Sequence, residues 1–238
     1  MVLIAIVGEL GVGKTLTLTY LAWNNWFYKK RKIYANYNLY GIPFTPVKSL
    51  EALKKMIPSE TPTLDQLLSQ NEIFFAGDEL WRWIDSRCAL FDISEKERRN
   101  IKNKIITDIL AASRKAFVTI AYTTQTISQV DKRIREVTDF TVYPVVKGDV
   151  CTALFFVGTR STSTAIDKEI RFFTEPFYAA YNTFERVSPL EEYGCEEETY
   201  LPVEKNPAWM WYLINKRKLS EEKAIEESRK MEKLLKNG

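Results

Sequence analysis

Histidine is absent from this 238-residue chain. No reaction here uses an imidazole base, and a Cys/His zinc centre is not expected. Cysteine is scarce: Cys88, Cys151 and Cys195 stand far apart with no C-x-x-C pair, so reduced thiols in an intracellular setting are expected. No apolar run approaches the roughly 20 residues that span a bilayer. The apolar N-terminus has no basic segment before it, so it reads as a strand and not as a signal peptide. An excess of one charge is missing too. The net charge of +3 does not by itself imply a nucleic-acid partner, and any basic surface must come from local clusters such as Lys29 to Lys32. What remains is an ordinary soluble composition, 45% hydrophobic and 27% charged, in a chain long enough for one α/β domain and an appendage.

One stretch organises the rest. Gly8-Glu9-Leu10-Gly11-Val12-Gly13-Lys14-Thr15 follows the pattern G-x-x-x-x-G-K-[ST] of a phosphate-binding P-loop. Met1 to Val7 before it reads as a buried strand, and Leu16 to Tyr28 after it as a helix. The chemistry requires that context. Glycines let successive N–H groups curl around one anion, and the helix N-terminus adds its unpaired N–H groups and dipole. Lys14 would reach the β- and γ-phosphates, and Thr15 would place a hydroxyl on Mg²⁺. The bland alternative is a glycine-rich turn that matches by chance.

Further along, Ile33 to Asn36 reads as a second strand. Gly41, Pro43 and Pro46 mark residues 37–46 as a loop, and short helices are expected over 47–56 and 63–69. Ile73-Phe74-Phe75-Ala76-Gly77-Asp78-Glu79 is an apolar strand ending in two acids, the Walker B form. Ligands of parallel sheets gather at the strands' carboxyl ends. Asp78 would therefore help hold Mg²⁺, and Glu79 would polarise an attacking water. A strand that ends in a polar turn is the plain alternative. Residues 94–113 carry a helical stripe of Ile101, Ile105 and Ile109. Ala116 to Tyr122 reads as another strand, followed by Gln125, an amide placed to contact the γ-phosphate or the water. A helical turn is expected at 131–135. Thr138 to Val146 and Val150 to Val157 form a hairpin over Lys147-Gly148-Asp149. Beyond residue 159 the pattern fades, except for the apolar Ala208 to Leu213 and a charged helix over 220–236.

An acid pair of this form suggests an extra strand between the P-loop strand and the acidic strand. That is the arrangement of RecA-like motor ATPases. The sequence resembles the FtsK–HerA superfamily on Gly8 to Thr15, Tyr34-Ala35-Asn36, Asp78-Glu79 with Trp81 and Arg87, Arg114, Thr124-Gln125, and Tyr181-Asn182-Thr183 with Glu185. Two virus-associated branches are similar: the DNA-packaging ATPases of archaeal and membrane-containing viruses, and the zonula occludens toxin-like assembly ATPases of filamentous phages. The resemblance covers about residues 1–185, taken as the ATPase domain, with 186–238 as a C-terminal extension.

The resemblance implies a RecA-like α/β fold with a mainly parallel sheet, late antiparallel strands and a helical C-terminal tail. It implies ATP and Mg²⁺ as ligands and a homo-oligomeric ring, hexameric by expectation, that threads double-stranded DNA. A neighbour's arginine would complete each site, with Arg87 and Arg114 as candidates. A packaging motor in the host cytoplasm, with a virion or portal component as a possible partner, is the first expectation, because the toxin-like branch is typically membrane-anchored and no apolar span is present. The toxin-like branch is the second. A small P-loop kinase or nucleotide switch shares only Gly8 to Thr15. Asn103-Lys104-Ile105-Ile106 lacks the aspartate of a guanine motif, and a non-hydrolysing DNA-binding protein would not need the whole catalytic set.

Overall fold

The computed structural model describes residues 2–55, 72–82, 118–158, 166–187 and 197–238. The strands are β1 (Leu3–Val7), β2 (Lys32–Ala35), β3 (Thr45–Pro46), β4 (Ile73–Gly77), β5 (Val118–Thr124), β6 (Phe140–Lys147), β7 (Val150–Val157) and β8 (Lys168–Phe173). The helices are α1 (Lys14–Phe27), α2 (Leu50–Lys55), α3 (Lys132–Glu136), α4 (Glu175–Ala179), α5 (Pro207–Asn215) and α6 (Glu221–Asn237).

The strands form one sheet in the order β3-β2-β4-β5-β1-β6-β7-β8. Pairing is parallel from β3 to β6 and antiparallel from β6 to β8. β5 lies between the P-loop strand β1 and the acidic strand β4, as expected. The sequence shows why the middle is parallel. β1 and β4 are continuous apolar runs, and both of their faces are covered. Ile4, Ile6 and Phe74 pack with α1 and the C-terminal helices, while Leu3, Ala5, Val7 and Phe75 pack on the opposite side with Ile120, Tyr122 and Ile134.

α1 joins the parallel and antiparallel halves. Its Tyr20 stacks on Phe172 of β8 with ring centroids 4.1 Å apart, and its Trp23 meets Phe177 of α4 edge-on at 5.3 Å. The tail docks on the same side. Trp209, Leu213, Ala224, Met231 and Leu235 enter that core, and the Trp23 indole N–H donates to the Leu235 carbonyl at 2.7 Å. Asn206 links the elements locally. Its side-chain oxygen accepts from the backbone N–H groups of Ala208 and Trp209 at the start of α5, and its amide donates to the carbonyls of Ala179 and Tyr181 at 2.9 and 2.8 Å. Among the described residues no helix is long and apolar enough to cross a membrane.

Four elements go beyond the sequence reading: β3 lies inside the expected loop over 37–46, β8 and α4 lie where the sequence pattern fades, and Ala208 to Leu213 is helical. The reasons are local. β3 is two residues long, and β8 carries Lys168, Glu169 and Arg171 on an edge, so its alternation is faint. α5 is apolar almost all round, which hides a period. The helices expected over 63–69 and 94–113 lie outside the described residues.

Candidate active site

β1 ends at Val7, and α1 begins at Lys14, with the loop between them open to solvent. Gly13 adopts a left-handed conformation at φ 97°, and a Cβ there would stand 2.7 Å from Val146 Cγ2 of β6. Both the backbone angle and the close approach therefore require glycine. Lys14 Nζ donates to the Glu9 carbonyl at 2.6 Å, folding the loop onto its own lysine. Burial lowers the Lys14 pKa, while Asp78 and Glu79 nearby act to raise it.

The register brings the acidic strand to this loop. Gly77 pairs with Tyr122 and Val7 with Thr124, so the ends of β4, β5 and β1 lie side by side. Asp78 is half-buried there. The Thr15 hydroxyl donates to its two carboxylate oxygens at 3.1 and 3.3 Å, and the Thr123 hydroxyl donates at 2.6 Å. Burial pushes the Asp78 pKa up, against the pull of these hydroxyls. Asn36, at the end of β2, holds the backbone in place: its amide donates to the Asp78 carbonyl at 2.7 Å, and its side-chain oxygen accepts from the Asp78 N–H at 2.6 Å.

Glu79 takes a left-handed backbone, φ 44°, which is uncommon for a residue with a side chain. Its N–H donates to the Thr123 hydroxyl at 2.7 Å, and its carboxylate meets Arg82 Nε at 2.7 Å. Gln125 follows β5 directly and is half-buried. The Asn38 N–H donates to the Glu185 carboxylate at 3.2 and 3.1 Å, and Leu39 bridges to Tyr181. The chain just after the Tyr34–Asn36 strand end, at Asn38 and Leu39, thus meets the Tyr181–Glu185 segment.

The donor set fits Mg²⁺. Among the described residues no group of three or more His, Cys, Asp and Glu could hold a metal ion. The oxygens that converge are the Thr15 hydroxyl and the Asp78 carboxylate, which suits a cation that takes one or two protein ligands and completes its shell with phosphate and water. Thr123 and Arg82 escaped the sequence reading. A hydroxyl in the last residues of the strand beside Walker B is the signal that could have found Thr123. Arg87 and Arg114 lie outside the described residues, and of Trp81 only the backbone is described. Away from the loop, a cavity of about 480 Å³ opens between the β6–β7 turn, α4 and α5, lined by Tyr178, Phe184, Trp209, Trp211 and Tyr212 among others.

Fold and site together define a RecA-like P-loop NTPase. The family model Zonular occludens toxin (Zot) matches residues 1–149, and the chain belongs to this family. Among solved structures, it is similar to the N-terminal domain of zonular occludens toxin from Neisseria meningitidis, with 18% identity, a TM-score of 0.45, and 76% of this chain and 100% of that one covered. It is also similar to the genome packaging NTPase from Sulfolobus turreted icosahedral virus 2 in complex with ATP-gammaS, with 11% identity, a TM-score of 0.39, and coverage of 71% and 97%. A third is the pCW3 conjugation coupling protein TcpA with ATPgS, at 11% identity and a TM-score of 0.45, covering 75% of this chain and 60% of that one. No curated protein matches the chain. The family match falls on the branch that the missing apolar span had ranked second.

Proposed function

We propose that the chain hydrolyses ATP with Mg²⁺ and couples this to the handling of viral DNA within a homo-oligomeric ring. The observation that carries the reading is the Thr15 hydroxyl on the half-buried Asp78 carboxylate at 3.1 Å, with Glu79 next in the chain and Thr123 bonded to both. Family membership favours the phage-assembly branch. The packaging motor is the alternative and would use the same site.

Each residue has a task in this reading. The N–H groups from Gly8 to Lys14 cradle the phosphates, and Gly11 and Gly13 supply the left-handed turns that aim them. Lys14 exchanges the Glu9 carbonyl for a phosphate oxygen. Thr15 and Asp78 would hold Mg²⁺, which would supply neutralising charge to the phosphate oxygens. Glu79 takes the proton of a water whose oxygen bonds to the γ-phosphorus as the bond to the β–γ bridging oxygen breaks, giving ADP and phosphate. Thr123 fixes Asp78 and the Glu79 backbone through one hydroxyl. Gln125 orients the water. Arg87 or Arg114 from a neighbouring subunit stabilises the charge on the transferring phosphoryl group. Residues 1–185 form the ATPase domain and 186–238 the extension, whose residues 197–238 pack on it.

The test is phosphate release from Mg·ATP with and without double-stranded DNA over a range of salt. Turnover in the wild type, its loss together with tight nucleotide binding in Lys14→Ala, and a DNA affinity that falls steeply with salt are expected, because such a motor grips phosphates and not bases. Phosphate transfer to a small acceptor without release would identify a kinase. DNA binding that is flat across salt, or absent in the ATP state, would remove the DNA-handling part.

A further inference from the structure

Glu79 is held from two sides. Its backbone sits in a left-handed conformation that the Thr123 hydroxyl secures, and its carboxylate is engaged by Arg82 Nε at 2.7 Å. The spacing of the ion pair is set locally. Residues Leu80–Arg82 form a single 3₁₀ turn, closed by the Arg82 N–H donating to the Glu79 carbonyl at 2.9 Å. That turn returns the guanidinium to the carboxylate three residues earlier. A carboxylate engaged by a guanidinium is turned toward its partner, and its lone pairs are occupied in part. In that state it is a poor acceptor for a water's proton.

We propose that Arg82 is a positioning residue that acts through Glu79, holding its carboxylate out of use until a phosphate oxygen draws the guanidinium away. The inference rests on Glu79 being the proton acceptor of the proposed hydrolysis. The latch is reversible by construction. Its side chains remain 38% and 29% exposed, so an incoming anion can reach the arginine. Partly exposed pairs of this kind are weak. A planar guanidinium also exchanges a carboxylate for a phosphate readily, since the same fork of donors fits both. The phosphate has two possible sources, the DNA backbone or the nucleotide itself. Either one ties release of Glu79 to arrival of a ligand, and with DNA as the source ATP is spared while no DNA is bound.

The experiment compares wild type, Arg82→Gln and Arg82→Lys. Steady-state and single-turnover ATP hydrolysis are measured with and without double-stranded DNA, alongside ATP affinity and Tm. Without DNA, Arg82→Gln should hydrolyse ATP about two- to fivefold faster than wild type, the rate equivalent of one partly exposed pair. Tm should be unchanged, and Arg82→Lys, which keeps a cation, should stay near the wild-type rate. If DNA phosphate is the releasing anion, DNA accelerates the wild type to the rate of Arg82→Gln and leaves that variant unchanged. If the nucleotide's own phosphate releases the latch, DNA alters neither, Arg82→Gln binds ATP more weakly than wild type, and the rate difference appears in the single-turnover step; with DNA as the source, ATP affinity is unchanged. A wild type that turns over ATP while Arg82→Gln is equal or slower in every arm overturns the latch alone. ATP binding without turnover in all three chains overturns the hydrolysis reading, and the latch falls with it.

Discussion

Asp78 is where stability and function pull apart. A carboxylate partly removed from water is disfavoured when ionised, and desolvation is the largest influence on this one, raising its pKa above the ordinary aspartate value. Its folded-state pKa therefore exceeds the unfolded one, near 3.9. Stability from this group is fully present below that unfolded value and is lost as pH rises through the folded pKa. At neutral pH the site bears the cost of a partly buried anion, which the Thr15 and Thr123 hydroxyls offset in part and Mg²⁺ would neutralise. Asp78→Asn should thus raise the Tm of the nucleotide-free protein at pH 7, by about 2–4 °C for each kcal/mol relieved, and flatten its pH dependence between the two pKa values. The same variant should lose Mg²⁺-dependent ATP turnover. A lower Tm at pH 7 would mean that the Thr15 and Thr123 hydroxyls over-compensate the burial. Asn36, carried by the family resemblance, brackets the Asp78 backbone, whereas Thr123 bonds to both acids from a strand end that sequence alone marks only as polar.

Among the elements, the P-loop turn depends on β6 as well as on its own glycines. Gly13→Ala would place its methyl 2.7 Å from Val146 Cγ2 and force a left-handed angle on a residue with a Cβ, a strain of about 1–2 kcal/mol before the clash is counted. It should weaken ATP binding at least tenfold. Adding Val146→Ala relieves the clash but not the angle, so the double variant should recover part of the Tm and little of the affinity. Full recovery of affinity would show that contact, not conformation, demands the glycine. The elements legible in the sequence share a property. β1, β4, β5 and the β6–β7 hairpin are apolar runs bounded by clear turn signals, and α1 and α6 keep a helical period. The acids and the phosphate loop were legible because their chemistry fixes residue types at fixed spacing. β8 and α5 were not, because one is a charged edge and the other is apolar all round. Arg82 was hidden for another reason: only the 3₁₀ turn brings it back to Glu79.

At the scale of the whole molecule, the carboxyl ends of β1, β4 and β5 present the site on one edge of the sheet, with the loop residues Glu9, Leu10 and Gly11 exposed. A ring in which a neighbour completes this edge predicts complementation in mixtures. Lys14→Ala subunits, inactive but still carrying the arginine, should partly rescue Arg87→Ala or Arg114→Ala subunits, whichever acts in trans. Loss of the arginine that acts in trans should by itself cut turnover by roughly 10³-fold or more. No rescue in any mixture, with full activity in a dilute monomer, would show a site completed within one chain. The most direct test of the central claim is paired measurement of ATP affinity and phosphate release in Glu79→Gln. The amide keeps the size of the side chain and loses the proton acceptor. Wild-type ATP affinity with release slowed by about 10²-fold or more is the predicted result. Release at the wild-type rate would contradict it.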